Sequence, residues 1–211
     1  MQNVPPIPVH ESIAQVTTRE ELWHQPFSSV VNVICLSRNL EGFDFQGLTT
    51  WLLNHNQYPD FFTLSTFKDA GWFLSPYKKE RNLIIEDMEF VQAGNSFQAQ
   101  LRVIPPGMNV FPEFHVDTAS VSDDFRRDKG RFLCTYFGLV TQGLLSENAE
   151  RAHLNETKRP IYLPKRNSGP FSFNVGDIWR QAVTNNIHDA KPFIHKGVPG
   201  PRLNAYQLIL R

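Results

Sequence analysis

From Asn82 onward, short runs of β-branched and aromatic residues alternate with turn residues, and no helical period is sustained. This pattern constrains the fold more than any other feature of the chain. The expected strands are residues 83–85, 97–104, 109–114, 131–139, 170–174, 177–182 and 203–210. Many short strands at regular spacing bury a common core by packing two sheets together or by closing one, as a sandwich, jelly roll or barrel does. No internal repeat is present.

The first 81 residues read differently. Thr18 followed by Glu21 is a capping-box pattern that opens a short helix through Leu22 and Trp23. Residues 30–36 form a β-branched apolar run suited to a buried strand, and residues 43–54 carry Phe45, Leu48, Leu52 and Leu53 at helical spacing. The expectation is a single domain over residues 1–211, mostly β with flanking helices (α+β). Residues 1–81 would be a mixed α/β flanking region and residues 82–211 the β core with a metal site. Two polar stretches, 118–130 and 146–169, read as long loops, of the kind that often serve as lids or binding segments.

Charge excludes some classes of function. Lys+Arg and Asp+Glu are both 21, so no global field favours a phosphate backbone or an anionic membrane surface. A local basic run at Lys158, Arg159, Lys165 and Arg166 reads as a solvated loop. Cys35 and Cys134 both sit in apolar runs, where a thiol behaves as a small hydrophobe. No secretory leader pattern or membrane-length apolar run is recognisable, which gives a cytoplasmic protein as the expectation.

The chemistry concentrates at His115-Val116-Asp117. In a strand, residues i and i+2 share a face, so His115 and Asp117 would point the same way. An imidazole and a carboxylate leave room for a third ligand, and two imidazoles with one carboxylate on one face of an ion form the facial triad of non-haem Fe(II) oxygenases. His-x-Asp alone is a weak signal, and its context strengthens it. Gly176-Asp177 turns into a strand, His195 ends the next apolar run, and Arg202 opens the last strand.

In this order of elements the sequence resembles the Fe(II)- and 2-oxoglutarate-dependent dioxygenase superfamily, whose fold is a double-stranded β-helix of the jelly-roll type. Residues 114–117 with 131–141 are also similar to a bacterial family catalogued only as a domain of unknown function. The resemblance covers residues 97–211. It implies that His115, Asp117 and His195 ligate iron and act in catalysis, and that Arg202 pairs with the distal carboxylate of the cosubstrate 2-oxoglutarate. Asn204 stands where the superfamily often has a small hydroxyl residue. Arg131, Thr135 and Tyr136 are rival or additional cosubstrate contacts, and Arg211 is a distant fallback. The implied activity is a hydroxylase-type oxidation of a small molecule or a side chain, its identity not readable from sequence.

Two other readings stand beside it. One is a cupin-like metalloprotein of different activity on the same scaffold, and the other is a non-catalytic binding domain. His188 is a rival for the place of His195, and His153 could line an entrance. His10, His24 and His55 have no recognisable partner. Trp51, Trp72 and Trp179 read chiefly as core, with Trp179 near the proposed site.

Overall fold

In a computed structural model of the protein, residues 4–54, 61–70, 74–93, 98–104, 112–154, 160–198 and 207–210 are described, 153–154 and 207–210 by their backbone alone. The capping box forms as expected. Thr18 accepts from the Glu21 amide and Glu21 reaches back to the cap, opening α1 (Arg19–His24). Leu22 on this helix is fully buried.

The main sheet has seven strands in the order β1 (Ile13–Val16), β2 (Val33–Leu36), β11 (Ile178–Gln181), β6 (Arg131–Phe137), β13 (Gln207–Leu210), β4 (Gln100–Ile104) and β3 (Phe61–Thr63). All its neighbours are antiparallel except β1 and β2. A second, four-stranded antiparallel sheet has the order β10 (Phe171–Ser172), β7 (Gln142–Leu144), β12 (Ile194–Lys196) and β5 (His115–Val116). The strands β8 (Ala149–Leu154) and β9 (Pro160–Pro164) pair as a separate hairpin.

Alternation along the strands divides the interior into three. On β6, Phe132, Cys134 and Tyr136 face one way, into the largest core, with α2 (Phe45–Asn54), α3 (Leu64–Asp69) and α4 (Lys78–Gln92). Leu133, Val33, Cys35 and Trp179 face the other way and meet Phe171, Phe173 and Phe193 between the two sheets. Phe114, Val116, Leu144 and Ile194 form a third cluster on the far face of the small sheet, closed by Tyr162 of β9. The main sheet is therefore covered on both faces, which accounts for the continuous burial along β2, β6 and β11.

A polar network ties α4 to the main sheet. Asp87, with no exposed surface, accepts from Arg38 at 2.8 Å through both oxygens, from Arg19 at 2.6 Å and from the Tyr136 hydroxyl at 2.8 Å. Arg180, 1% exposed, donates to the carbonyls of Leu22 at 2.6 Å, Lys129 at 3.0 Å and Gln25. It caps the C-terminal ends of α1 and of α5 (Asp124–Lys129) and lies over the Phe27 ring. Burial lowers its pKa to about 10, so the guanidinium remains charged at neutral pH.

Several expectations are corrected. Residues 83–85 are not a strand but lie within α4, whose Ile84, Asp87, Met88 and Val91 are buried at helical spacing. The stretch 118–130 is no plain loop, because Asp123 caps α5 through its side chain. The stretch 146–169 contains the β8–β9 hairpin. Among the described residues helix and strand shares are nearly equal, 29% and 30%, a mixed α and β content with strands only slightly ahead. The first 81 residues supply β1, β2 and β3, placed at the two edges of the main sheet. No described helix is long and apolar enough to cross a membrane.

Candidate metal centre

β5 and β12 are neighbours in the small sheet, and their register sets His195 directly opposite His115. Both side chains project between the sheets, with ring centroids 4.6 Å apart. Asp117 follows two residues after His115 on the same face, as strand alternation requires. Its position is fixed by backbone pairing, since its carbonyl accepts from the Thr184 amide at 3.0 Å. One ligand atom from each of His115, Asp117 and His195 lies within 4.8 Å of the others, and all three residues are buried. No other such cluster of potential ligands occurs among the described residues.

The two imidazoles are held by the same device. The Nδ1–H of His115 donates to the Glu113 carbonyl at 2.8 Å, and that of His195 to the Phe193 carbonyl at 3.4 Å. A carbonyl only accepts, so Nδ1 carries a proton, and in the neutral ring it is Nε2 that presents the lone pair. Backbone partners of this kind fix the tautomer and ring orientation of metal-binding histidines. The Phe193 ring also lies parallel to His195, 5° between planes and 6.0 Å between centroids.

Electrostatics favour the ligand-competent forms. Burial lowers the His195 pKa to about 4 against the opposing pull of Asp117, with His115 and Arg131 adding to the lowering, so the ring is neutral at neutral pH. Burial by itself would raise the Asp117 pKa, but His195, Arg131 and His115 outweigh it and hold the carboxyl at about 2. Arg131 donates to Asp117 Oδ2 at 2.5 Å. Gln181, with no exposed surface, donates to the same oxygen at 2.7 Å and stands 3.5 Å from His195 Nε2.

These residues suit a divalent ion of the Fe(II), Mn(II) or Zn(II) type. The donors are two nitrogens and a carboxylate, not the all-oxygen set of Ca(II) nor the thiolates of Cu(I). Both cysteines are buried thiols whose pKa is pushed up by burial, that of Cys134 to about 12, so neither offers a thiolate. The Oε1 of Gln181 is a buried acceptor without a partner, an orphan at the rim of the three ligands.

The remaining sequence-derived residues fall in varied places. Arg131 is at the site, but its contact is Asp117. Tyr136 is corrected as a cosubstrate contact. It points to the opposite face of β6, where its hydroxyl is bonded to Asp87 and its ring packs on Phe45 at 5.0 Å. Arg202, Asn204 and Arg211 lie outside the described residues, as do His55, Trp72 and the side chain of His153. His188 is not part of the group, because its Nε2 is 2.7 Å from Asp128. His10 pairs with Glu147 at 2.8 Å. Trp179 stacks on Phe173 at 3.9 Å in the core between the sheets, with His195 6.5 Å away. Gln181 escaped the sequence reading. Its only signal was its place two residues after Trp179 on the same strand face, and amides occur on many strands.

Comparison with family models, with curated proteins and with solved structures gives no match for this chain.

Proposed function

We propose that the protein is a non-haem Fe(II) oxygenase of the 2-oxoglutarate-dependent type, built on a double-stranded β-helix. The observation that carries the reading is the buried His115–Asp117–His195 group, with two imidazoles and one ionised carboxylate converging from one face of the small sheet. That donor set is the one such oxygenases use to hold iron while leaving positions open.

Strand order supports the fold assignment. Among the described residues, eight strands remain once β1, β2, β3 and the β8–β9 hairpin are set aside. They pair first with last, β4 with β13, then β5 with β12, β6 with β11 and β7 with β10. Four nested antiparallel pairs divided between two facing sheets are the pairing expected of a rolled-up long hairpin, which supports the jelly-roll reading.

When bound, the metal and the oxo acid supply the oxidising chemistry, and the protein supplies geometry and a dry site. His115, Asp117 and His195 hold the ion. Arg131 keeps Asp117 ionised and places a guanidinium beside the centre, where its remaining N–H groups suit a carboxylate. Arg202 is the second cation proposed for the distal carboxylate of 2-oxoglutarate.

The test is anaerobic titration with Fe(II) and 2-oxoglutarate, watching for the weak visible charge-transfer band of a bidentate oxo acid. The band is expected in the wild type and absent in His115→Ala. No band in the wild type, or an unchanged band in the variant, overturns the reading. Arg202→Ala and Arg131→Ala, measured the same way, separate the two cations as anchors for the cosubstrate.

A further inference from the structure

Among the described residues, Gln181 is the one buried polar side chain at the centre that neither the ligand set nor the ion pairs account for. Its amide nitrogen is 2.7 Å from Asp117 Oδ2 and 3.5 Å from His195 Nε2, and those two ligand atoms are 3.6 Å from each other. Two donors bound at about 2.1 Å and at right angles around one ion stand about 3 Å apart. The Gln181 amide therefore stands from Asp117 and His195 at about the spacing of neighbouring donors on one ion.

Its present hydrogen bonds explain its orientation. With Nδ1 of His195 protonated, Nε2 is an acceptor, and so is Asp117 Oδ2. The amide N–H2 points at these two lone pairs, the same lone pairs that a cation would take. The cost of this arrangement falls on Oε1, which is buried without a donor. A half-turn about the terminal torsion, which is broad and roughly two-fold, exchanges the two amide atoms without moving the backbone. It would put the orphan oxygen where the nitrogen now sits, facing the ion.

We propose that Gln181 is a fourth donor to the ion held by His115, Asp117 and His195, with Oε1 turned toward the metal in the loaded protein. This rests on the metal-site reading above and deepens it. A fourth protein donor leaves two positions of six instead of three, so a bidentate oxo acid and a further ligand fit together only if Gln181 yields its place. Gln181 then acts as a displaceable arm, and it competes with the cosubstrate for the ion.

The test uses the full chain and Co(II), which is stable in air, as the probe. Binding is measured by calorimetry and by visible absorption for wild type, Gln181→Leu, Gln181→Glu and His115→Ala, with circular dichroism to check folding. Gln181→Leu is expected to bind Co(II) about tenfold more weakly and to shift the visible absorption. The Co(II)-loaded form of the same variant is expected to bind 2-oxoglutarate more tightly than loaded wild type, since no arm must be displaced. A merely structural role would weaken both. Gln181→Glu offers a charged oxygen at the same point and is expected to bind Co(II) at least as tightly as wild type, which keeps the test decisive if the leucine variant does not fold. Wild-type affinity and spectrum in Gln181→Leu, or weakened Co(II) binding in a folded Gln181→Glu, overturns the proposal and leaves the three-residue site standing. Equal Co(II) binding by wild type and His115→Ala overturns the site itself, and the proposal with it.

Discussion

His195 stands directly across the β5–β12 pair from His115, in register, with the two rings 4.6 Å apart. Side chains opposite one another in an antiparallel pair are close enough to share one partner. The centre therefore depends on two short strands of the small sheet keeping their register, and a slip of one residue would turn one imidazole to the other face.

Metal binding should be visible as stability. Mn(II) at about 100 times its Kd should stabilise the wild type by about 2.7 kcal/mol, read as a rise in Tm. Neither His115→Ala nor His195→Ala should show that rise. A similar rise in both variants would mean that the ion binds elsewhere.

Acid should destabilise the metal-free protein well above the usual carboxylate range. His195 has a folded pKa of about 4 against an ordinary 6.5, because burial disfavours the charged ring. The unfolded chain thus takes up a proton that the folded one refuses. The stability from this group is fully present above pH 6.5 and is lost as pH falls through about 4, by roughly 3 kcal/mol in all. Denaturant titrations of wild type and His195→Gln over this range should diverge, with the variant showing the shallower dependence. Parallel curves would contradict the assignment.

Gly143 should tolerate no side chain. It lies on β7 opposite both His195 and Phe171, and a Cβ there would run into the ring Cζ atoms of Phe171 and Phe193. Phe193 lies parallel to the His195 ring and its carbonyl accepts from that ring. Gly143→Ala should therefore destabilise the fold by about 1–3 kcal/mol through overpacking and also weaken metal binding. Chemical denaturation and Mn(II) titration check the two effects, and a fully stable variant would show that the rings move aside freely.

Arg180 should matter to stability and not to the metal. It adjoins Gln181 on β11 but projects to the opposite face, into the helix carbonyls of Leu22 and Gln25 and over Phe27. Arg180→Met leaves the buried Leu22 carbonyl and the part-buried Gln25 and Lys129 carbonyls without this donor and should cost about 3 kcal/mol, measured by denaturant unfolding. Mn(II) affinity at a temperature where the variant is folded should be unchanged. A large loss of affinity would mean that the two faces of β11 are coupled.

Local order settled much of this protein from its sequence. The capping box at Thr18 and Glu21, the helical spacing of Phe45, Leu48 and Leu52, and the shared face of His115 and Asp117 all follow from contacts within a few residues. The same logic failed at residues 83–85, where a short apolar run fits a strand or one turn of a buried helix, and only the longer spacing through Val91 distinguishes them. The tertiary structure decided the rest. Periodicity says that Arg131 and Tyr136 lie on opposite faces of β6, but not which face meets Asp117 and which meets Asp87. It says nothing of the register that brings His195 to His115, or of the packing that buries the Gln181 amide between Asp117 and His195. Those are properties of strands far apart in the chain, whose alignment is fixed by which apolar faces must be buried together.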